Sequence, residues 1–437
     1  MGKQRRSRAP SQARDRGTTT STVEVEIERI LPGGLGLAHA GGKTLLVALA
    51  APGDRVRVRI ERVRGAVAFA SIEEVITPSA VRVAPPCPYF GRCGGCDFQQ
   101  LTYQAQLGAK VEIVRDCLQR IARLTPPAHI PITPAPDPWH YRSRAQWQYD
   151  PRRELLGYYE RGSHNVCDVV ECPVVVPALQ EKLTALREEM MAGRLPQDVG
   201  EFQAAAGDDG ATLSPPLGVE SQASREAVET EARGDAGEGD GAARERRADD
   251  ERESLRTIGG ERYRFNAECF FQINHELLAP LILEATREAS GGATAVDLYC
   301  GVGLFTLPLA RRFARVVAVE GNPASCLYAR RNLADAGLMN ARVEASSVSE
   351  WLMRHAAELA PVDFVLLDPP RAGADDGALE GIIALEPRRI SYVSCDPATF
   401  ARDLKILNAH GFRLDSLMAF DMFPQTHHVE LVGQLLR

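Results

Sequence analysis

The chain has 437 residues, 44% of them hydrophobic and 25% charged, with a formal net charge of −7. This exceeds the roughly 250 to 300 residues at which a single core stops growing, so two or three domains are expected. Apolar runs fall well short of the roughly 20 residues that cross a bilayer, and no apolar stretch follows the basic start at Lys3, Arg5, Arg6 and Arg8, so neither a membrane span nor a secretory leader is expected and a cytoplasmic location is.

Residues 1–20 are basic and then Ser/Thr-rich, as in a disordered arm. Residues 21–79 alternate apolar and polar positions in short bursts, such as Val23-Glu24-Val25-Glu26-Ile27 and Arg55-Val56-Arg57-Val58-Arg59-Ile60, broken by Pro-Gly turns. That pattern indicates a small antiparallel β-barrel of OB type, a fold that commonly binds single-stranded nucleic acid and can also serve as a spacer. Residues 80–195 read as a mixed middle domain, with an amphipathic helix from about Tyr103 to Leu124 and strands around Ala145–Tyr149 and Leu156–Tyr159. Residues 196–258 are rich in Ala, Gly, Glu, Asp, Arg and Ser and lack sustained periodicity, which reads as a disordered insertion. Deleting residues 200–255 is accordingly expected to leave activity within a few-fold. Because residues 201–258 carry 15 acidic and 7 basic side chains, the rest of the chain is close to neutral, and net charge does not argue against a nucleic-acid partner.

Three of the ten cysteines crowd into Cys87-x5-Cys93-x2-Cys96, and in a cytosolic protein such a cluster suggests metal before disulfides. A closed site needs a fourth thiolate; Cys172 is the best candidate and Cys167 its nearest rival. Spacing alone suits zinc and an iron–sulfur cluster equally. Between these cysteines, Trp139-His140-Tyr141-Arg142-Ser143-Arg144 and Trp147 interleave aromatics with arginines, either to contact RNA or as a core strand whose arginines reach solvent.

From residue 259 to 437 strand and helix signals alternate, implying a doubly wound, mostly parallel sheet with its ligand at the carboxyl ends of the strands. Asp297-Leu298-Tyr299-Cys300-Gly301-Val302-Gly303 follows an apolar strand and opens a helix, with glycines that let backbone approach a ligand. A dinucleotide fingerprint would need a third small residue where Thr306 stands, so NAD is disfavoured. Glu320 ends the next strand, where an acidic side chain can accept from both ribose hydroxyls, a pattern usual for S-adenosylmethionine sites of class I methyltransferases.

Asp368-Pro369-Pro370-Arg371 and Ser394-Cys395-Asp396-Pro397 follow two further strands, and Glu430 adjoins the last strand candidate, Leu431–Leu435. One exposed cysteine and one carboxylate on a methyl-donor rim suit methylation at carbon 5 of uracil. A thiolate adding to C6 makes C5 nucleophilic, and a base later removes the C5 proton so that the cysteine is expelled. Cys395 is the candidate nucleophile and Glu430 the candidate base; His427 and His428 receive no role.

The segments FFQIN at Phe270–Asn274, DLYCGVG, LDPPRAG at Leu367–Gly373, SCDP and DMFPQTHHVE at Asp421–Glu430 together resemble the RNA uracil-5-methyltransferase family. The resemblance implies a class I methyltransferase domain, with Gln272, Tyr299, Gly301, Glu320 and Asp368 at S-adenosylmethionine. It also implies an N-terminal TRAM barrel, and a [4Fe–4S] cluster on Cys87, Cys93, Cys96 and Cys172 as in the family's ribosomal branch. A monomer acting on 23S ribosomal RNA is expected, with transfer RNA as the alternative substrate. Two rivals are an iron–sulfur oxidoreductase and a non-catalytic RNA-binding protein. Leu304 stands where some members carry Asn, and the insertion is longer than the family's usual linker.

Overall fold

A computed structural model describes residues 21–217 and 253–437. The basic arm expected at 1–20 and the middle of the insertion, 218–252, lie outside the described residues.

The N-terminal unit is a six-stranded sheet formed by β1 (Thr22–Glu26), β2 (Arg29–Ile30), β3 (Gly36–Ala40), β4 (Lys43–Val47), β5 (Arg55–Arg64) and β6 (Val67–Thr77), in the order β1-β5-β6-β4-β3-β2. Period-2 alternation turns Val56 and Val58 inward, to pack with Val25, Ile27, Leu45, Val47 and Ala68. The sheet is not wholly antiparallel, because β4 pairs with β6 in parallel. On the outer face Arg57 donates to Glu24 at 3.0 Å, Arg55 to Glu24 at 3.2 Å, and Arg59 lies 3.6 Å from Glu73, so the arginine row is charge-balanced.

Residues 81–437 gather with 30–34 into a second compact unit. Its first layer is a five-stranded sheet in the order β10-β9-β8-β11-β12: β8 (Arg144–Asp150), β9 (Leu155–Tyr159), β10 (Val166–Asp168), β11 (Glu201–Ala206) and β12 (Ala211–Ser214). Helix α1 (Tyr103–Cys117) precedes this sheet, and α2 (Pro177–Met191) buries Leu179, Leu183 and Leu186 against its Trp147, Leu156 and Phe202. Residues 201–206 and 211–214 are therefore strands, not part of a disordered insertion, and β13 (Ser254–Ile258) pairs with β14 (Glu261–Phe265). The run Glu201-Phe202-Gln203-Ala204-Ala205-Ala206 carries only one large apolar side chain. Its alanines pack closely on β8, which low-complexity composition hides. Deleting 200–255 is now expected to yield insoluble or early-melting protein, since the loss of Phe202 alone costs about 3–5 kcal/mol. A soluble product melting with the intact chain would show β11 and β12 to be dispensable.

The second layer is an eight-stranded sheet flanked by helices. Strands β15 (Gly292–Leu298), β16 (Phe313–Glu320), β17 (Ala341–Ala345), β18 (Phe364–Leu367) and β19 (Arg389–Ser394) are parallel. Strand β21 (Glu430–Leu436) runs antiparallel between β19 and β20 (Arg413–Phe420). Beyond β20 lies β7 (Ile132–Thr133), so the middle segment lends a strand to this sheet and does not stand apart as its own domain. Central strands are apolar on both faces: all four residues of β18 are buried. Helices α3 (Leu278–Ala285), α4 (Thr306–Ala310), α5 (Pro323–Asp335), α6 (Val348–Leu359), α7 (Asp376–Ala384) and α8 (Pro397–Ala409) complete the layer.

Candidate active site and the four-cysteine cavity

The carboxyl ends of β15, β16, β18 and β19 bring the expected residues to one rim. After β15 the chain turns through positive φ at Tyr299 (62°), Gly301 (55°) and Gly303 (95°) to enter α4. Tyr299 is the strained member, because an L side chain rarely adopts that conformation. Beneath the turn, buried Asp297 accepts from the Thr306 hydroxyl at 2.5 Å; burial, with the charges of Asp368 and Glu320, pushes its carboxyl up to about 7. Glu320 ends β16 and accepts the Gly301 N–H at 2.9 Å on one oxygen and the Asn322 N–H at 2.7 Å on the other.

Asp368 follows β18, and Gln272 donates to it at 3.0 Å. Burial raises this carboxyl to about 7. Cys395 follows β19, and Asp396 caps α8 by accepting from Ala398 and Thr399 N–H groups at 2.9 and 2.8 Å, so the thiol stands in the strand-to-helix turn. The antiparallel ladder ends with Ser394 paired to Leu431, so Cys395 follows and Glu430 precedes the last rung, and the charge of Glu430 acts on the Cys395 thiol.

Glu430 is 1% exposed, and neither carboxylate oxygen has a hydrogen-bond partner among the described residues. Burial, then the charge of Asp368, raises its carboxyl well above the usual range, with Arg371 opposing. Burial followed by the charges of Glu430 and Asp368 pushes the Cys395 thiol up to about 12, again against Arg371. Arg371 is thus the cation shared by nucleophile and base candidates, and its place in Asp368-Pro369-Pro370-Arg371 was the signal that could have found it. Burial, then the neighbouring His427 and Arg371, hold His428 neutral, down to about 2.

A second feature of the unit is a cavity lined by Cys87, Cys93, Cys96 and Cys172 together with Gln99, Arg142 and Tyr158. Cys167 does not line it; its sulfur faces the Arg92 guanidinium at 3.2 Å. Burial raises the thiols of Cys87, Cys93 (to about 11) and Cys96 (to about 12). Among the described residues no three His, Cys, Asp or Glu side chains are placed to hold a single metal ion. In the intervening aromatic stretch Tyr141 and Trp147 are core residues, 1% and 0% exposed, while Arg142 faces the thiols and Arg144 packs over the Phe270 ring at 5.7 Å.

A mostly parallel sheet with one antiparallel strand inserted between β19 and β20, a glycine turn above β15 and an acidic residue ending β16 define a class I methyltransferase fold. Residues 248–437 match the tRNA (Uracil-5-)-methyltransferase family model, and residues 17–72 match the TRAM domain. The chain is 35% identical to the 23S rRNA (uracil(1939)-C(5))-methyltransferase of Alkalilimnicola ehrlichii, over 95% of this chain and 96% of that one. It is 34% identical to an uncharacterized RNA methyltransferase of Thermosynechococcus vestitus, over 95% and 98% respectively. The crystal structure of Pyrococcus abyssi tRNA (uracil-54, C5)-methyltransferase in complex with S-adenosyl-L-homocysteine superposes with a TM-score of 0.67 at 25% identity, covering 94% of this chain and all of that one. The chain belongs to the RNA uracil-5-methyltransferase family.

Proposed function

We propose that this protein methylates carbon 5 of a uridine in 23S ribosomal RNA, with Cys395 as nucleophile and Glu430 as base. The observation that carries the reading is the β19–β21 ladder, whose last pair, Ser394 and Leu431, adjoins a half-buried cysteine on one strand and a buried, unpartnered carboxyl on the other, at the rim where Asp368 and Gln272 meet.

S-adenosylmethionine supplies an electrophilic methyl group. Gln272, Tyr299, Gly301, Glu320 and Asp368 are the residues to hold it. Each Glu320 oxygen already accepts one backbone N–H and keeps a lone pair for a ribose hydroxyl. The Cys395 thiolate, its proton lost to solvent, adds to C6 of the ring; the electron pair of the C5–C6 double bond moves toward O4 and then from C5 onto the methyl carbon, whose bond to the donor sulfur breaks with its electrons staying on that sulfur. Glu430 then accepts the C5 proton, the double bond re-forms, and the C6–S bond breaks with its electrons returning to Cys395. The uridine must leave its stack for both ring faces to be reached.

The four-cysteine cavity fits a [4Fe–4S] cluster held by Cys87, Cys93, Cys96 and Cys172. Four thiols share one chamber, and Arg142 presents a cation to what would be an anionic group. The ribosomal substrate draws support from the likeness to the Alkalilimnicola ehrlichii enzyme over nearly the whole of both chains.

Anaerobically purified protein given methyl-labelled S-adenosylmethionine is expected to convert uridine to 5-methyluridine in unmodified 23S rRNA and not in tRNA. It is also expected to contain about four iron and four sulfide per chain. Label on tRNA alone would move the substrate to transfer RNA, and zinc without sulfide would replace the cluster.

A further inference from the structure

The loop that delivers Glu430 is held from the cysteine turn. Asp97 follows Cys96, and its carboxylate accepts the His427 backbone N–H at 2.8 Å while its other oxygen meets His427 Nδ1 at 2.5 Å. The backbone N–H groups of Asp97 and Phe98 both donate to the Gln425 carbonyl at 3.0 Å. From α1, Gln106 donates to Gln425 Oε1 and accepts the Gln425 N–H, each at 2.9 Å, and Lys110 donates to the Phe423 carbonyl at 3.0 Å. The Tyr141 hydroxyl donates to the Pro424 carbonyl at 2.9 Å. Phe423, Pro424, Gln425 and His427 are therefore each gripped from a segment more than 280 positions away in the chain. At its other end the cysteine turn is tied to the β9–β10 hairpin, where the Gly94 N–H donates to the Tyr159 carbonyl at 2.9 Å and Arg161 donates to the Cys96 carbonyl at 3.0 Å.

Glu430 lies three residues beyond His427, and its carboxylate makes no hydrogen bond among the described residues. Its placement comes from the ladder on its C-terminal side and from this clasp on its N-terminal side. We propose that Asp97 is a positioning residue for Glu430: through His427 it fixes the base-bearing loop, making the cysteine turn the template on which the proton acceptor is set. The inference rests on Glu430 being the base. It assigns Asp97 to one step, the transfer of the C5 proton to Glu430 that re-forms the C5–C6 double bond and returns the C6–S electrons to Cys395. Addition of the thiolate, which Cys395 performs from the α8 turn, does not pass through the clasp.

Asp97→Ala is therefore expected to accumulate a covalent protein–RNA species that survives denaturing gels. Its turnover should be roughly 10- to 100-fold slower, the range that misplacement of a reacting group by about 1 Å produces. RNA affinity and iron content should match wild type. Asp97→Asn keeps an oxygen for the His427 N–H and is expected to recover part of the loss; it carries the test if the alanine variant does not fold. Normal turnover without adduct in either variant, or turnover falling in step with RNA affinity and no adduct, overturns the proposal. Wild type and Glu430→Gln run alongside: if wild type forms no 5-methyluridine, or Glu430→Gln traps nothing, the reading of the site has failed and not the clasp alone.

Discussion

Cys395→Ala is expected to lower 5-methyluridine formation by roughly 10^4-fold or more, the scale on which removing a covalent nucleophile acts. Binding of S-adenosylmethionine should be unchanged. Among the described residues no hydrogen bond of Gln272, Glu320 or Asp368 runs through this thiol: Gln272 holds Asp368, and Gly301 and Asn322 hold Glu320. The thiol's surroundings add a pH dependence. Burial, Glu430 and Asp368 push it up to about 12, so at neutral pH it is protonated and the reactive thiolate is scarce. The thiolate fraction grows about tenfold per pH unit below that value, so alkylation of Cys395 by iodoacetamide in the free protein should rise by about that factor per unit from pH 7 to 9. Arg371 is the neighbour that opposes the shift, and its replacement by Leu should slow alkylation further. Continued methylation by Cys395→Ala, measured by nucleoside analysis of the RNA, would end the covalent route.

What could be read directly from the sequence was local. Apolar strands followed by Gly301 and Gly303, an acidic residue ending β16, and Asp-Pro or Cys-Asp-Pro turns after β18 and β19 each declare themselves within a few residues. Strand ends on one side of a parallel sheet converge whatever the loops between them do. The nearness of Cys395 to Glu430 depends instead on an antiparallel strand inserted between β19 and β20, and periodicity carries no sign of that insertion. The same limit hid three other features. The parallel β4–β6 pair looks like any other alternating strand. Strand β11 presents alanines where a core strand usually shows branched or aromatic side chains. Strand β7 has two residues, too few for a pattern, yet it joins the middle segment to the large sheet. Asp97 was passed over because its partner is 330 positions away, and only its place next to Cys96 marked it.

Glu430→Gln is expected to separate the two halves of the reaction. Glutamine preserves shape, and because the Glu430 oxygens have no partners among the described residues, the exchange breaks no hydrogen bond. Its new amide N–H groups are buried, at a cost of about 1–3 kcal/mol where no acceptor is met. Folding should survive, with a melting temperature lowered by several degrees. Thiolate addition and methyl transfer need no proton acceptor at C5, so both should proceed and leave an adduct in which C5 carries the methyl group and its original hydrogen. Without the carboxylate, removal of that proton should slow by about 10^2- to 10^4-fold, the usual worth of a positioned base. The adduct should therefore persist on a denaturing gel, its mass equal to chain plus RNA plus one methylene unit, the methyl group gained less the thiol hydrogen lost. Cys395→Ala combined with Glu430→Gln should show none. Should Glu430→Gln instead turn over freely, the base must be another carboxyl at this rim. Asp368 is then the group to test, since burial holds it near 7, where it can both accept and release a proton.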